Sequence, residues 1–395
     1  MAGGPPGEAV EVVNRFTGTL GADLDCASDD RCGGIAGGRR PAATIATVWT
    51  HPGAPVTVQH RDDDARMAQA IEAARRARRR VAPRPWVGAV VVPAGATDHP
   101  GFEGATAGRT GPHAEAVALA RAGAAAEGAT LFVTLEPCSH HGTTPPCVDA
   151  VIDAGVARVV VGVEDPDPRV AGSGIARLRQ AGIEVVVGVA GEAVATQLAP
   201  YLHHRRTGRP FVVLKLAGTA DGRTAAPDGS SRWITGPQAR IDAHRLRADS
   251  DAVLVGAGTV RADDPSLTVR LPTGERADDD TEPLRVVLGR APQGAAVHPC
   301  VELDGELGDV LDELGGRGVL QVLVEGGAGV AGAFHRAGLV DRYVLYVAPA
   351  LLGGDDGRAL LAGAGAPTID EAWRGRFVAI RQVGDDLRLD MEALH

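Results

Sequence analysis

At 395 residues, 44 % apolar and 23 % charged, the chain has ordinary soluble-globular composition and is too long for one hydrophobic core, so two domains and a short appendage are expected. A formal charge of −10 and 3 % aromatic residues disfavour a nucleic-acid partner, which calls for phosphate neutralisation and stacking platforms. No apolar run approaches a membrane span, and five cysteines with no recognisable signal peptide disfavour a disulfide scaffold, so no membrane partner and a cytoplasmic setting are expected.

Residues 1–62 are rich in Gly, Ala, Pro and Asp without a sustained period, and read as a poorly ordered extension in which Cys26 and Cys32 are unpaired thiols. Met67 opens a helical pattern, MAQAIEAARRARRR, and a true start near it stays open; the basic cluster Arg75 to Arg80 on that helix reads as a solvated face. Strand Val87–Val92, a helix from about His113 to Ala122, strand Thr130–Leu135, a helix from about Cys147 to Ala154, strand Val159–Val163, helix Ile175–Ala181 and strand Val185–Val189 then alternate. That alternation marks an α/β layered domain over 63–208. A polar joint, HHRRTGRP at 203–210, precedes a second α/β domain over 209–395. It has strands at Phe211–Leu216, Ala252–Val255, Leu284–Leu288, Val319–Val324 and Arg342–Val347, and helices at about Pro237–Ala248 and Gly329–Ala337.

The sharpest signal is His113-Ala114-Glu115 followed by Pro137-Cys138 and, after eight intervening residues, Cys147. One imidazole and two thiolates are the three-ligand pattern of a catalytic zinc, which keeps a fourth position for water; a structural zinc would need a fourth protein ligand, and His140 or His141 could supply it. Glu115 cannot share a helix face with His113, because two residues turn a helix by roughly 200°. The metal therefore belongs off the N-terminal end of that helix, with Glu115 as proton shuttle rather than ligand. Cys147 follows Pro145-Pro146 and opens a helix, whose dipole favours its thiolate.

In the second half, VEGGAGVAG is a strand end whose glycines open a helix, suited to a dinucleotide phosphate or to plain turn chemistry alike. GAGT after Val255 is a second such end, and two in one domain favour a nucleotide site. Ala262-Asp263-Asp264-Pro265 reads as a turn.

The strings PHAE, TLEPCSHHGTTPPC and EDPDPRVAGSG, with LKLAGTADGRTA, SRWITG, GAGTVRADDPSLTVR and LVEGGAGVAG, closely resemble the bifunctional diaminohydroxyphosphoribosylaminopyrimidine deaminase / 5-amino-6-(5-phosphoribosylamino)uracil reductase family of riboflavin synthesis. The resemblance runs from about Met67 to the C-terminus. It implies a cytidine-deaminase-like zinc domain followed by a dihydrofolate-reductase-like domain, with Zn²⁺ and NADPH as cofactors and a phosphoribosyl pyrimidine as substrate. Carried over, it matches Ala217, Trp233, Thr259, Asp263, Gly327, Ala328, Gly329, Val330, Ala331, Gly332 and Ala333 to NADPH contacts. Ser231, Arg247, Leu267, Arg270 and Glu325 match substrate contacts, and Lys215 is suited to polarise the ribose carbonyl that accepts hydride. The chain departs from the family at Arg84 (usually Asn), Thr106 (commonly His), Thr143 (usually basic), Ala220 and Gly289. An active reductase with a weakened or re-targeted deaminase is therefore the alternative. A homo-oligomer stays open.

Overall fold

The structure, a computed structural model, describes residues 58–96, 98–142, 145–270 and 282–394, which all lie in one compact unit. Helix α1 (Val58–Ala77) buries Met67, Ala70 and Ala74, an i, i+3, i+7 stripe, against strand β1 (Gly88–Val92). It begins upstream of Met67. Asp63, buried in α1, accepts from Arg158 Nη1 and Nη2 at 2.9 and 2.7 Å, while Arg158 Nε donates to Glu184 at 3.1 Å, so residues before Met67 pack within the first domain. The helix also corrects the reading of the basic cluster: Arg75, Arg76, Arg79 and Arg80 are exposed, but Arg78 turns inward, its guanidinium 4.1 Å from the Trp86 ring centre. Cys26, Cys32 and Thr143 lie outside the described residues.

Next come β2 (Phe102–Ala105), α2 (Ala114–Ala122), β3 (Thr130–Leu135), α3 (Cys147–Asp153), β4 (Arg158–Val163), α4 (Ser173–Gln180), β5 (Glu184–Val187) and α5 (Gly191–Thr207). The five-stranded sheet runs β2-β1-β3-β4-β5, with β1 antiparallel to both neighbours and β3, β4 and β5 parallel. Strand β2 and helix α5 escape the sequence reading. Strand β2 is four residues with one side on the helix layer, and α5 is masked by Pro200 and by polar last turns that have the composition of a joint. Gly208, left-handed at φ 77°, ends α5 in the way a helix C-terminus commonly does.

The second sheet is built from β6 (Phe211–Thr219), β8 (Ala252–Gly256), β9 (Leu284–Leu288), β10 (Val301–Leu303), β11 (Gln321–Val324), β12 (Arg342–Ala348), β14 (Gly375–Val383) and β15 (Asp386–Ala393). Its order is β10-β9-β8-β11-β6-β12-β15-β14, parallel from β10 to β12 and antiparallel beyond. Helices α6 (Pro237–Ala248), α7 (Ala257–Asp263), α8 (Leu307–Gly316) and α9 (Ala328–Arg336) connect the parallel strands, and β7 (Arg223–Ala225) pairs with β13 (Arg358–Ala359). The stretch 262–265, expected as a turn, is instead the end of α7, closed by Asp264 at φ 41°. The two sheets share packing: fully buried Leu320 of the second half joins the apolar cluster of the first. Among the described residues no helix is long and apolar enough to cross a membrane.

Candidate active sites

In the first domain, β3 delivers the chain to Pro137-Cys138, and the N-termini of α2 and α3 deliver His113 and Cys147 to the same point. His113 is the N-cap of α2, so its ring lies off the helix end while Glu115 sits in the first turn, as the two-residue spacing demands. The His113 Nδ1 atom lies 3.1 Å from Cys147 Sγ and 3.5 Å from Cys138 Sγ, and all three donor atoms fall within 4.8 Å of one another. Tetrahedral zinc with S and N ligands places its donors about 3.5–3.8 Å apart, so this donor set fits the ion. His140 and His141, the candidates for a fourth ligand, are outside the cluster.

The electrostatics agree with a cation site. A hydrogen bond from the Cys147 thiol, opposed by burial and helped by His113, holds the Cys138 thiol down at about 4. Cys147 is pushed far up by that same bond and by burial, so the pair favours a thiolate at Cys138, a donor suited to a dication. The Cys147 backbone N–H donates to Cys138 Sγ at 3.3 Å, locking the loop ends together. Glu115 is 3 % exposed, and burial pushes its carboxyl up, the setting of a group that holds and releases a proton.

Sequence reasoning missed Glu136, the residue before Pro137. Its buried carboxylate accepts the N–H groups of Asp165, Gly172, Gly174 and Ile175 at 2.9–3.2 Å, fastening the loop before α4 against the metal-ligand turn. Those partners lie far along the chain, so no local period could reveal them. The departures from the family pattern also find places. Thr106 Oγ1 accepts from Val87 N–H and donates to the Pro85 carbonyl, both at 3.1 Å. Arg84 Nη1 donates to the carbonyls of Gly111 (2.8 Å) and Gly108 (3.3 Å), while its buried Nη2 has no partner among the described residues.

In the second domain, parallel register assembles the site. Strands β8, β11 and β6 lie side by side, with Val324 opposite both Leu254 and Leu214, so the ends of all three open onto one edge. Both glycine-rich strand ends meet there, and Thr259 Oγ1 accepts the Gly327 N–H at 3.1 Å. Within 327–333, Gly327 and Gly329 are exposed at the start of α9, whereas Ala328, Ala331 and Gly332 are buried behind them. Ala217 lies on β6, Asp263 is exposed at the end of α7, and Trp233 is 69 % exposed with the Arg240 guanidinium 4.4 Å from its ring centre.

Arg247, on the last turn of α6, grips Glu325 as a fork, at 2.5 Å and 3.0 Å, and donates its remaining nitrogen to the Thr268 carbonyl at 3.2 Å. Its donors are therefore committed within the protein. Lys215 Nζ lies 3.9 Å from Glu325, and burial lowers its pKa against the pull of that carboxylate. Burial alone would raise Glu325, but Arg247 and Lys215 outweigh it and hold the carboxyl at about 2. Ser231 is exposed; Leu267 is buried at φ 52°. Arg270 is exposed, and its backbone N–H donates to His244 Nδ1 at 3.1 Å.

A three-donor metal cluster beside a buried glutamate, followed by a parallel-sheet crevice with glycine-rich strand ends, defines a zinc deaminase domain joined to a reductase domain. Residues 60–163 match the cytidine and deoxycytidylate deaminase zinc-binding region, and residues 210–389 match the RibD C-terminal domain. The riboflavin biosynthesis protein RibD of Mycobacterium tuberculosis is 45 % identical over 345 residues, 84 % of this chain and 97 % of that one; the Escherichia coli K12 protein is 40 % identical over 83 % and 99 %. The Acinetobacter baumannii RibD structure superposes with TM-score 0.78 at 38 % identity, covering 85 % of this chain and all of that one. A Thermotoga maritima diaminohydroxyphosphoribosylaminopyrimidine deaminase/5-amino-6-(5-phosphoribosylamino)uracil reductase gives 0.75 at 32 %, with the same coverage. The chain belongs to the RibD family of riboflavin biosynthesis proteins, bifunctional enzymes with a deaminase and a reductase activity.

Proposed function

We propose that the first domain removes an amino group from 2,5-diamino-6-ribosylamino-4(3H)-pyrimidinone 5′-phosphate, and that the second reduces the ribosyl group of the product with NADPH. The observation that carries this reading is the clustering of His113, Cys138 and Cys147 next to buried Glu115. His113, Cys138 and Cys147 would hold the zinc, which when bound supplies the Lewis acidity that makes water nucleophilic near neutral pH. Glu115 takes a proton from the attacking water and returns it to the ring nitrogen and then to the departing amine.

In the reductase, the exposed backbone at Gly329 and the Thr259 hydroxyl, held in place by the Gly327 N–H, suit a dinucleotide phosphate at the start of α9. NADPH supplies the hydride. Lys215, on the adjacent strand, polarises the accepting carbonyl, and Glu325, pinned by Arg247, orients the sugar. Arg270, exposed and tied by its backbone N–H to His244 of α6, is the cation suited to the substrate phosphate.

The partner is this small molecule, in a cytoplasmic enzyme without nucleic-acid or membrane partners. A homo-oligomer fits the edge strand β14, which leaves Phe377, Val378 and Ile380 exposed. The deciding experiment incubates purified protein with the diaminopyrimidine phosphate, with and without NADPH, and follows ammonia and NADPH separately. Ammonia release without NADPH, and NADPH oxidation only after deamination, are expected. No ammonia from zinc-loaded protein sinks the deaminase assignment, and no NADPH oxidation with the deaminated substrate sinks the reductase assignment.

A further inference from the structure

Arg78 belongs to the first domain by sequence and to the second by its bonds. From the turn after α1 its guanidinium crosses the Trp86 ring and donates to the Asp249 carbonyl from Nε (3.0 Å) and Nη2 (2.6 Å), and from Nη2 to Gln321 Oε1 (2.8 Å). Asp249 is the C-cap of α6, where the last carbonyls lack intrahelical partners and the helix dipole is negative. Gln321 opens β11, and its amide returns to Ser250 Oγ (2.9 Å) and the Asp249 carbonyl (3.2 Å). The Asp251 carboxylate accepts the N–H groups of Leu320 and Gln321, both at 2.9 Å. One guanidinium from the deaminase domain thus joins the end of α6 to the start of β11.

These two elements carry the reductase pair: Arg247 lies on the last turn of α6, and Glu325 directly follows β11. Their fork depends on the spacing between α6 and β11, and small misplacements at such a constellation are costly.

We propose that Arg78 is a positioning residue for the reductase, through which the deaminase domain caps α6 and sets the approach of Arg247 to Glu325. The inference rests on the reductase reading above. Arginine suits the task because its planar fork reaches two acceptors while its face stacks on Trp86, which a lysine ammonium cannot do at once. The reductase half therefore completes its own site only with a residue from the other half.

The test uses the full-length protein with Arg78→Met, Arg78→Lys and Gln321→Leu, assayed for both activities, zinc content and amide hydrogen exchange. In Arg78→Met the KM for the deaminated substrate should rise about tenfold while the KM for NADPH and ammonia release stay within about twofold, and exchange should quicken over residues 246–252. Arg78→Lys should recover part of the affinity. An unchanged KM with unchanged exchange in folded, zinc-loaded Arg78→Met overturns the proposal, and so does an equal loss of both activities. Should Arg78→Met fail to fold, Gln321→Leu removes one of the two acceptors on the reductase side, with a smaller rise in the same KM expected and the same overturning results. A wild-type protein without reductase turnover defeats the functional reading, while the exchange comparison still decides the positioning role.

Discussion

The deaminase donors sit at 113, 138 and 147, each at the end of an element that its immediate neighbours define: a strand running into Pro137, a helix behind Pro146, and a helix capped by His113 itself. Lys215, Arg247 and Glu325 have no such local definition. They meet because β6 and β11 pair in parallel and because α6 is capped from outside its own domain. A site built from element ends can be recognised by spacing, whereas a site built by register depends on packing over the whole sheet. The deaminase site should therefore respond most to changes in its own short segments, and the reductase site to changes far from its chemistry.

The largest expected effect is in the deaminase. Glu115→Gln should keep its zinc and lose ammonia release by on the order of 10²-fold or more, because the donors remain and the proton carrier is gone. Reductase turnover should not change. Full ammonia release by the zinc-loaded variant would remove Glu115 from the mechanism.

Next is the reductase pair. Glu325→Gln leaves Arg247 buried without its counter-charge, a loss of charge-assisted bonds worth about 1.5–3 kcal/mol, so the KM for the deaminated substrate should rise about ten- to a hundredfold. The pH dependence follows from the sign of the shift. Glu325 is held at about 2, below the ordinary value of 4.5, so the pair is intact above that ordinary value and is lost only as pH falls toward about 2. Glu325 should therefore add no acid limb to the wild-type KM between neutral pH and about 5, where the substrate phosphate, with its second ionisation at about 6, changes charge. An acid limb centred near the ordinary carboxylate value would show that Glu325 is not paired in the working enzyme.

A smaller effect tests how firmly the metal-ligand turn is held from behind. A Cβ at Gly174 would run into the Pro137 carbonyl and come within 3.2 Å of Glu136 Oε1. Gly174→Ala should therefore shift Pro137-Cys138 and weaken zinc binding about tenfold, measured by competition with a chelating dye. Undiminished zinc affinity would mean that the turn is positioned by Cys138 and Cys147 alone.

The smallest effect on either activity should come from Asp63→Ala. It removes the fork to Arg158 in the first domain and should lower stability by about 1.5–3 kcal/mol, read as a lower urea midpoint, with both KM values unchanged. An unchanged midpoint would mean that the bond from Arg158 Nε to Glu184, at 3.1 Å, suffices.

By itself the sequence determined the elements with a clear period and clear ends: Thr130–Leu135, Pro237–Ala248 and Leu284–Leu288 are the same in the sequence reading and in the structure. It also determined the metal cluster, because a histidine two residues before a glutamate and a cysteine behind Pro-Pro each announce a helix start. The tertiary structure alone decided what depends on distant partners. The carboxylate of Glu136 is satisfied by N–H groups beyond residue 164, and Arg247, matched by resemblance to a substrate contact, forks onto Glu325. Arg78, in a run of arginines indistinguishable by composition, turns inward, while Arg79 beside it pairs with the Asp249 carboxylate from the surface. The physical reason is the same in each case: hydrogen-bonding capacity and charge are written in the residue, but which acceptor comes within 3 Å is set by how the sheets and helices pack.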